Sequence, residues 1–390
     1  MLGKERKATR IQKVLELKAP KKIEASPKLP KKIEAITRSL EGDELSILLG
    51  EDLMSGSNVY WKPSSEKNPH LLVVGTSGSG KTETMRSLVY ELRKRGISCL
   101  IFDFHDEYSE VTDMQINVRE GVTINPLELF ERSPLDITYE ISSILREIYR
   151  LGDQQEAILR QAIQRSYEDK GISDKDKSTW SNAPPNFLNV KENLQMMSEG
   201  SSSIRSVITT LLNRLQPIFD MEIFSKATSI PFEEIVKRTT AIQLKDLPTA
   251  RVKTAVSDFF LRRLWYYMQG LGESKRLRLY CVVDEGHRLA YKDSPLDQFL
   301  REARKYGVGV ILSSQRSSDF SETVVANVSS IVSLQCQLEK DARLMAKQTN
   351  CATKDIQSLD EAGKAIVKFS SKETPLTIQI TPLSFRKGLD

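Results

Sequence analysis

The chain has 390 residues, 39% hydrophobic and 28% charged, a balance that builds a globular protein with a large core and room for an insertion. No apolar run approaches the roughly 18 residues that cross a bilayer, and the N-terminus lacks a signal peptide's apolar stretch, so a cytoplasmic protein with no membrane segment is expected. Cys99, Cys281, Cys336 and Cys351 form no C-x-x-C pair and His70, His105 and His287 are dispersed, which argues against a disulfide framework and against a Cys- or His-based metal cluster.

The net charge of +5 is concentrated at one end. Residues 1–40 hold 12 Lys and Arg against 4 Glu, leaving 45 basic against 48 acidic residues elsewhere. This tail, bounded at 1–42, repeats Ala19-Pro-Lys-Lys-Ile-Glu-Ala25 as Leu29-Pro-Lys-Lys-Ile-Glu-Ala35, and Pro20, Pro27 and Pro30 keep it from being one helix. Two copies of so short a unit cannot stack a core. A disordered, extended arm is expected, suited either to nucleic-acid phosphates or to a solubilising role.

Leu45, Ile47, Leu48 and Leu49 predict a strand ending at Gly50, and Val59-Tyr60-Trp61 a second. Leu71 to Val74 form a buried strand that runs into Gly75-Thr76-Ser77-Gly78-Ser79-Gly80-Lys81-Thr82, which fits G-x-x-x-x-G-K-[ST] without a mismatch. Met85, Leu88, Val89 and Leu92 then keep helical spacing up to Gly96. A strand, a glycine-rich turn and a helix N-terminus in this order aim consecutive N–H groups and a positive dipole end at one spot. Residues 75–83, Glu83 included, are therefore expected to hold a nucleoside triphosphate. Lys81 would reach the β- and γ-phosphates and the Thr82 hydroxyl would ligate Mg2+.

Ile97 to Phe102 predict the next buried strand, and the βαβ unit implies a parallel sheet with a right-handed crossover. Asp103, His105 and Glu107 follow its carboxyl end, where such residues either face a ligand crevice or cap the loop. Between Leu135 and Glu234 the chain turns helical, with Ile137, Ile141, Ile144, Leu145 and Ile148 in one segment and Ile158 with Ala162 in another. A polar break from Glu168 to Asn186 precedes a helix from Ile204 to Leu215. An inserted helical subdomain, about 133–235, is expected. Thr240 to Leu244 predict a strand, and Val252 to Met268 a helix whose apolar face is core.

Leu279 to Val283 predict a buried strand ending in Asp284-Glu285. Asp284 is placed to hold Mg2+ beside Thr82, and Glu285 to polarise the water that attacks the γ-phosphate. Val308 to Leu312 predict another strand, ending in Ser313-Ser314-Gln315. A neutral amide at Gln315 can bond phosphate and water without competing for the metal. The helix between them carries Leu296, Phe299, Leu300 and Ala303 on one face, with Arg301 and Arg304 about 60° apart on its flank. Those arginines either lie on a solvated face or serve a neighbouring subunit's site, which needs a ring.

Read together and in order, GTSGSGKT (75–82), DFHDEY (103–108), INPLEL (124–129), VVDEGHRLA (282–290) and REARKYGVGVILSSQRSSDF (301–320) resemble the HerA/FtsK superfamily of ring-forming P-loop motors, HerA more closely, over about residues 45–385. The resemblance implies an α/β, RecA-like P-loop NTPase fold with a mostly parallel sheet flanked by helices. It also implies a homo-oligomer, a hexameric ring, that hydrolyses ATP to move along double-stranded DNA. Lys81 and Thr82 take the Walker A roles, Asp284 and Glu285 those of Walker B, Gln315 that of sensor, and Arg301 or Arg304 that of arginine finger. Leu338 to Ala346 resembles the segment after the sensor strand, and Ala365–Phe369 with Leu376–Ile380 the C-terminal hairpin.

The chain departs from HerA in having only about 70 residues ahead of the P-loop, so the N-terminal β-barrel that helps dock a nuclease in HerA is expected to be missing or vestigial, and with it that partnership. Asp106 stands where HerA typically has glycine and Phe104 where it has proline; unlike FtsK, there is no membrane segment. The expected domains are the tail (1–42), the ATPase domain (43–385) and a C-terminal end (386–390). The leading expectation is an ATP-dependent DNA translocase or helicase-like motor. Alternatives are a conjugation or viral DNA-packaging ATPase, and a non-motor ATP-dependent switch or scaffold regulating a partner nuclease. A small-molecule kinase is disfavoured by the chain's length and by the lack of a lid-like arginine cluster.

Overall fold

Leu71, Leu72, Val73 and Val74 are all fully buried. An apolar run with no alternation toward water belongs in a parallel sheet covered on both faces. In the computed structural model, which describes residues 45–388 except 120–122, 201–203, 225, 227 and 292–293, this run is the third of eleven strands in one sheet. The basic tail and its repeat lie outside the described residues.

The strands are β1 (Ile47–Asp52), β2 (Asn58–Trp61), β3 (Leu71–Val74), β4 (Ser98–Asp103), β5 (Met114–Asn117), β6 (Thr240–Gln243), β7 (Leu279–Val283), β8 (Val308–Ser314), β9 (Ser330–Ser333), β10 (Lys364–Phe369) and β11 (Leu376–Ile380). Their spatial order is β2-β1-β11-β10-β9-β3-β8-β7-β4-β6-β5. Every neighbouring pair from β9 across to β5 is parallel, and those from β9 to β2 are antiparallel. The sheet is thus mostly parallel, as expected. Strand β1 does not stop at Gly50: it continues to Asp52 through a register shift between Leu48 and Gly50. A Cβ at Gly50 would lie 1.9 Å from the Gln379 carbonyl oxygen, so glycine lets β11 approach there.

The helices are α1 (Lys81–Lys94), α2 (Pro134–Tyr149), α3 (Asp153–Asp169), α4 (Phe187–Gly200), α5 (Arg205–Phe219), α6 (Phe232–Val236), α7 (Ala250–Leu271), α8 (Pro295–Glu302), α9 (Glu322–Ala326), α10 (Glu339–Thr349), α11 (Thr353–Gln357) and α12 (Leu383–Lys387). Side chains that alternate along each strand divide the core into two layers. Leu71, Val73, Ile101 and Val282 pack with Met85, Leu88, Val89 and Leu92 of α1. Leu72, Val74, Phe102 and Val283 face the other way and share a core with Ile141, Leu159 and Leu211 of the inserted helices and Phe259 of α7.

The insertion is therefore a layer on the sheet, continuous with its core. It begins sharply, because the Ser133 hydroxyl accepts from the Asp136 N–H and Pro134 opens α2. Helix α4 starts directly after the predicted polar break and buries Phe187, Val190, Leu194 and Met197. At the chain's end, α12 runs across residue 385. Its Arg386 is buried, donates to the Leu48 and Leu49 carbonyls, and lies 3.2 Å from Glu91 of α1. Among the described residues no helix is long and apolar enough to cross a membrane.

Candidate active site

The glycine-rich loop leaves β3 and enters α1, so its geometry follows from where β3 sits. Gly75 N–H donates to the Ser314 carbonyl at the end of β8 (3.2 Å), and Thr76 N–H and hydroxyl both donate to the Gln335 carbonyl beyond β9 (2.9 and 3.1 Å). Ser79 is turned inward: its N–H and its hydroxyl both bond the Thr76 carbonyl, while its own carbonyl accepts from Gly363 N–H at 2.9 Å. Gly78 and Gly80 hold φ of 82° and 95°, the left-handed region that glycine enters without steric cost. Gly80 also has no room for a side chain, since a Cβ would lie 2.8 Å from the Gly363 nitrogen. The first-turn amides of α1, beginning at Lys81, have no intrahelical acceptor, and Gly80 through Glu83 line the space the loop encloses.

That space is a cavity of about 500 Å3 lined by Thr76, Ser77, Gly78 and Gly80 through Glu83 on one side and by Asp284, Glu285 and Gln315 on the other. Register explains the convergence. Strand β8 pairs with β3 on one side and β7 on the other, with Val74 opposite Ser314 and Val283 opposite Leu312. The loops leaving β3, β7 and β8 thus open at the same edge, where parallel sheets bind ligands.

Glu285 is the hub of the polar contacts. Its Oε1 lies 3.1 Å from the Lys81 ammonium and accepts from Gln315 Nε2 at 3.1 Å. Its Oε2 lies 3.3 Å from His287 Nδ1, which is also 3.3 Å from the Ser314 hydroxyl. Burial alone would raise the Glu285 pKa. Lys81, the Gln315 amide and His287 outweigh it and hold the carboxyl below its usual range. His287 is shifted down, by burial first, with Glu285 and Asp319 opposing. Glu285 also sits at φ 59°, ψ 47°, a left-handed conformation that costs a non-glycine residue about 1–2 kcal/mol. Strain of this kind persists only where surrounding contacts impose it.

Asp284 is buried and accepts from the Ser313 hydroxyl. The Thr82 hydroxyl donates to Glu107 Oε2 at 3.3 Å. His105 and Glu107 both line the cavity, whereas Asp103 does not. Its carboxylate accepts from the N–H groups of His105 and Glu107 (3.2 Å each) and Tyr108 (3.1 Å), so Asp103 shapes the loop, the capping alternative of the two expected for it. Glu83 lines the cavity and also accepts from Leu383 N–H at 2.6 Å, tying α12 to the start of α1.

Arg301 and Arg304 are not brought to this cavity. Arg301 is half exposed and pairs with Asp297 on its own helix. Arg304 lies near His70, whose Nδ1 accepts from Val310 N–H at the amino end of β8, opposite the edge where the cavity opens. Three cavity-side groups escaped the sequence reading: His287, Ser313 and Arg86, the last lining the cavity while paired with Glu110 at 2.8 Å. His287 had a legible signal, because two residues after Glu285 on a tight turn is close enough to touch it. Ser313 and Arg86 had none.

Comparison with known proteins bears on this arrangement. A family model described as "Helicase HerA, central domain" matches residues 48–264. The chain belongs to that family. The DNA double-strand break repair helicase HerA of Sulfolobus acidocaldarius is 26% identical over 386 aligned residues, spanning 91% of this chain and 74% of that one. Its counterpart from Saccharolobus solfataricus is 24% identical, over 91% and 74% respectively. Among solved structures, VirB4 of Thermoanaerobacter pseudethanolicus superposes with a TM-score of 0.73 at 20% identity, covering 89% of this chain and 99% of its own. The plasmid coupling protein TrwB, in complex with ADP and Mg2+, gives 0.64 at 16%, covering 90% and 92%. These two likenesses establish a shared fold. With the family, the fold and the assembled P-loop site together, the chain is an ATPase of the HerA motor family.

Proposed function

We propose that this protein is an ATP-driven DNA translocase of the HerA type that works as a homohexameric ring on double-stranded DNA. The hydrolytic half of the reading is carried by the convergence of Lys81, Gln315 and His287 on the buried Glu285, at the P-loop cavity and one residue from Asp284, and the DNA half is supported by the HerA helicase relatives. A carboxylate kept ionised, at the edge of a phosphate-binding loop, is equipped to orient and polarise an attacking water. In this reading the loop amides and Lys81 hold the β- and γ-phosphates. Gln315 then fixes the position of the lytic water relative to Glu285.

The residues present fit Mg2+. The Thr82 hydroxyl and the Asp284 carboxylate form an oxygen-only donor set, and Glu107 stands within 3.3 Å of Thr82. Mg2+ takes much of its shell from substrate phosphates and water, so one or two oxygen donors from the chain suffice. Bound there, Mg2+ supplies charge neutralisation for the phosphate oxygens. Every other element of the chemistry comes from the chain: Thr82 and Asp284 hold, Lys81 orients, Glu285 accepts the proton.

The position of Arg301 and Arg304, away from the cavity of their own chain, supports their action on a neighbouring subunit's ATP, so that one chain supplies half of each site. The basic composition of residues 1–42 suits additional contacts with DNA phosphates. The test is ATPase turnover with and without double-stranded DNA of graded length, run beside a sizing measurement. DNA-stimulated turnover by a hexamer is expected. Turnover indifferent to DNA would overturn the translocase, and an active monomer would overturn the shared site.

A further inference from the structure

The loop from Asp103 to Tyr108 borders two surroundings at once. His105 and Glu107 line the ATP cavity. Phe104 and Asp106, alternating with them, face elsewhere: the Arg288 guanidinium stands over the Phe104 ring, 5.3 Å from its centre, and Asp106 lies in the fields of Lys245 and Lys253. Asp106 sits at φ 60°, and its Oδ1 is buried with no hydrogen-bond partner among the described residues. A strained residue with an unsatisfied carboxylate oxygen needs a reason.

Lys245 and Lys253 act on Asp106 directly, and Arg288 and Arg119 join them through Lys253 and Asp246, so that four cations gather from different segments at the carboxyl edge of the sheet. Arg119 follows β5, Lys245 follows β6, Lys253 lies in the first turn of α7 and Arg288 follows β7. They are tied into one patch: Arg119 Nη1 donates to the Asp246 carbonyl at 3.1 Å, and Lys253 Nζ donates to the Lys245 carbonyl at 2.7 Å. Burial first, then the charges of Arg288 and Lys245, hold the Lys253 ammonium below its usual range, while Asp106 and Asp246 oppose them. Among the described residues none of the four closes an ion pair, whereas Arg86, Arg146 and Arg263 each close one elsewhere. Against these four charges stand the carboxylates of Asp106 and Asp246. The 22-residue helix α7 adds the positive end of its dipole at the same place.

Crowded like charges that close no ion pair repel one another in the folded chain and are relieved by a polyanion. We propose that Arg119, Lys245, Lys253 and Arg288 form a contact surface for the phosphate backbone of nucleic acid, with Asp106 as the opposing charge that weakens the grip. The inference rests on the DNA-motor reading and adds where the chain holds its track. Backbone contacts carry no sequence information, as a motor that steps along arbitrary sequence requires. Since the Asp103–Tyr108 loop borders both this surface and the ATP cavity, a shift of the loop at one is felt at the other.

The experiment measures binding of a fluorescent DNA duplex by anisotropy across a salt series. Lys245→Gln, Lys253→Gln and Arg119→Gln are each expected to lower the slope of log affinity against log salt by about one. Lys177→Gln, in the segment between α3 and α4, should leave the slope unchanged. Asp106→Asn is expected to tighten binding about threefold at fixed salt, and asparagine tolerates the left-handed backbone, so the variant should fold. Wild-type slopes in the three patch variants would overturn the inference alone. An unchanged slope with a raised KM for ATP would assign the patch to a neighbour's nucleotide and also overturn it. A wild-type chain that binds no duplex would overturn the DNA-motor reading itself.

Discussion

The ammonium of Lys81 lies 3.1 Å from Oε1 of Glu285, although the two residues leave strands that are not neighbours. Strand β8 separates β3 from β7, and both side chains reach across its end. The same Oε1 takes the amide of Gln315, the residue directly after β8. Glu285→Gln removes the charge that this arrangement concentrates and keeps the shape. Turnover should fall by a factor of at least about 100, the scale expected when a positioned general base is lost, while nucleotide binding survives. Steady-state ATPase beside equilibrium binding of a fluorescent nucleotide checks both halves.

His287 contacts the other oxygen of Glu285 and the Ser314 hydroxyl, and has no other hydrogen-bond partner among the described residues. His287→Ala should lower kcat about tenfold with little change in KM, because the contact orients the carboxylate without touching the loop that holds phosphate. His287→Asn places an amide nitrogen near the position of Nδ1 and should recover most of the loss. Equal loss in both variants would reduce His287 to a packing residue.

Arg301 is half exposed, pairs with Asp297 on its own helix and does not line the cavity of its own P-loop. If it serves a neighbour, Arg301→Ala and Lys81→Ala will each be inactive alone, with losses of about a thousandfold or more for the arginine on the scale of other arginine fingers. Mixing the two variants should restore turnover, since some interfaces then pair an intact P-loop with an intact arginine. Turnover of the mixture that never exceeds the sum of its components would remove Arg301 from that role.

Asp258 in α7 is fully buried, accepts from the Tyr291 hydroxyl through Oδ2, and leaves Oδ1 without a partner. Burial pushes its pKa up to about 8 from 3.8. The folded chain therefore keeps a proton that the unfolded chain loses above pH 3.8. This group's contribution is fully present below that pH and declines by about 1.4 kcal/mol per pH unit until the folded carboxyl ionises near 8. Asp258→Asn should flatten that dependence. Between pH 5 and pH 7 the wild type is expected to lose about 2–3 kcal/mol more than the variant, measured by denaturant unfolding at each pH.

Much of the fold was legible because burial on both faces leaves an unmistakable apolar run: β3, β7 and the closing strand β11 lie where Leu71–Val74, Leu279–Val283 and Leu376–Ile380 place them. Strand β9 was not legible. Ser330-Ile-Val-Ser333 is only four residues long and flanked by hydroxyls, yet its serines are fully buried within the sheet. Helix α4 carried a helical pattern at Phe187, Val190 and Leu194 that the adjoining polar break obscured. Within the site, motif residues were legible because phosphate chemistry restricts them to few types. The anchors of the loop were not, because a backbone carbonyl such as that of Gln335 leaves no trace in side-chain pattern. Asp106 shows a subtler limit: its departure from the family's usual glycine was visible, but the positive φ that explains glycine there required the backbone.

The contacts of the P-loop with Gln335 and Gly363 carry a practical consequence. The nucleotide loop hangs from two hooks near the far end of the chain, and the second sits where β10 begins. The match to the family model ends at residue 264, before either hook is made. A fragment cut to that boundary would contain the whole phosphate-binding motif and still present it unsupported. The eight residues that name the motif are thus not portable; they take their shape from strands added long after them.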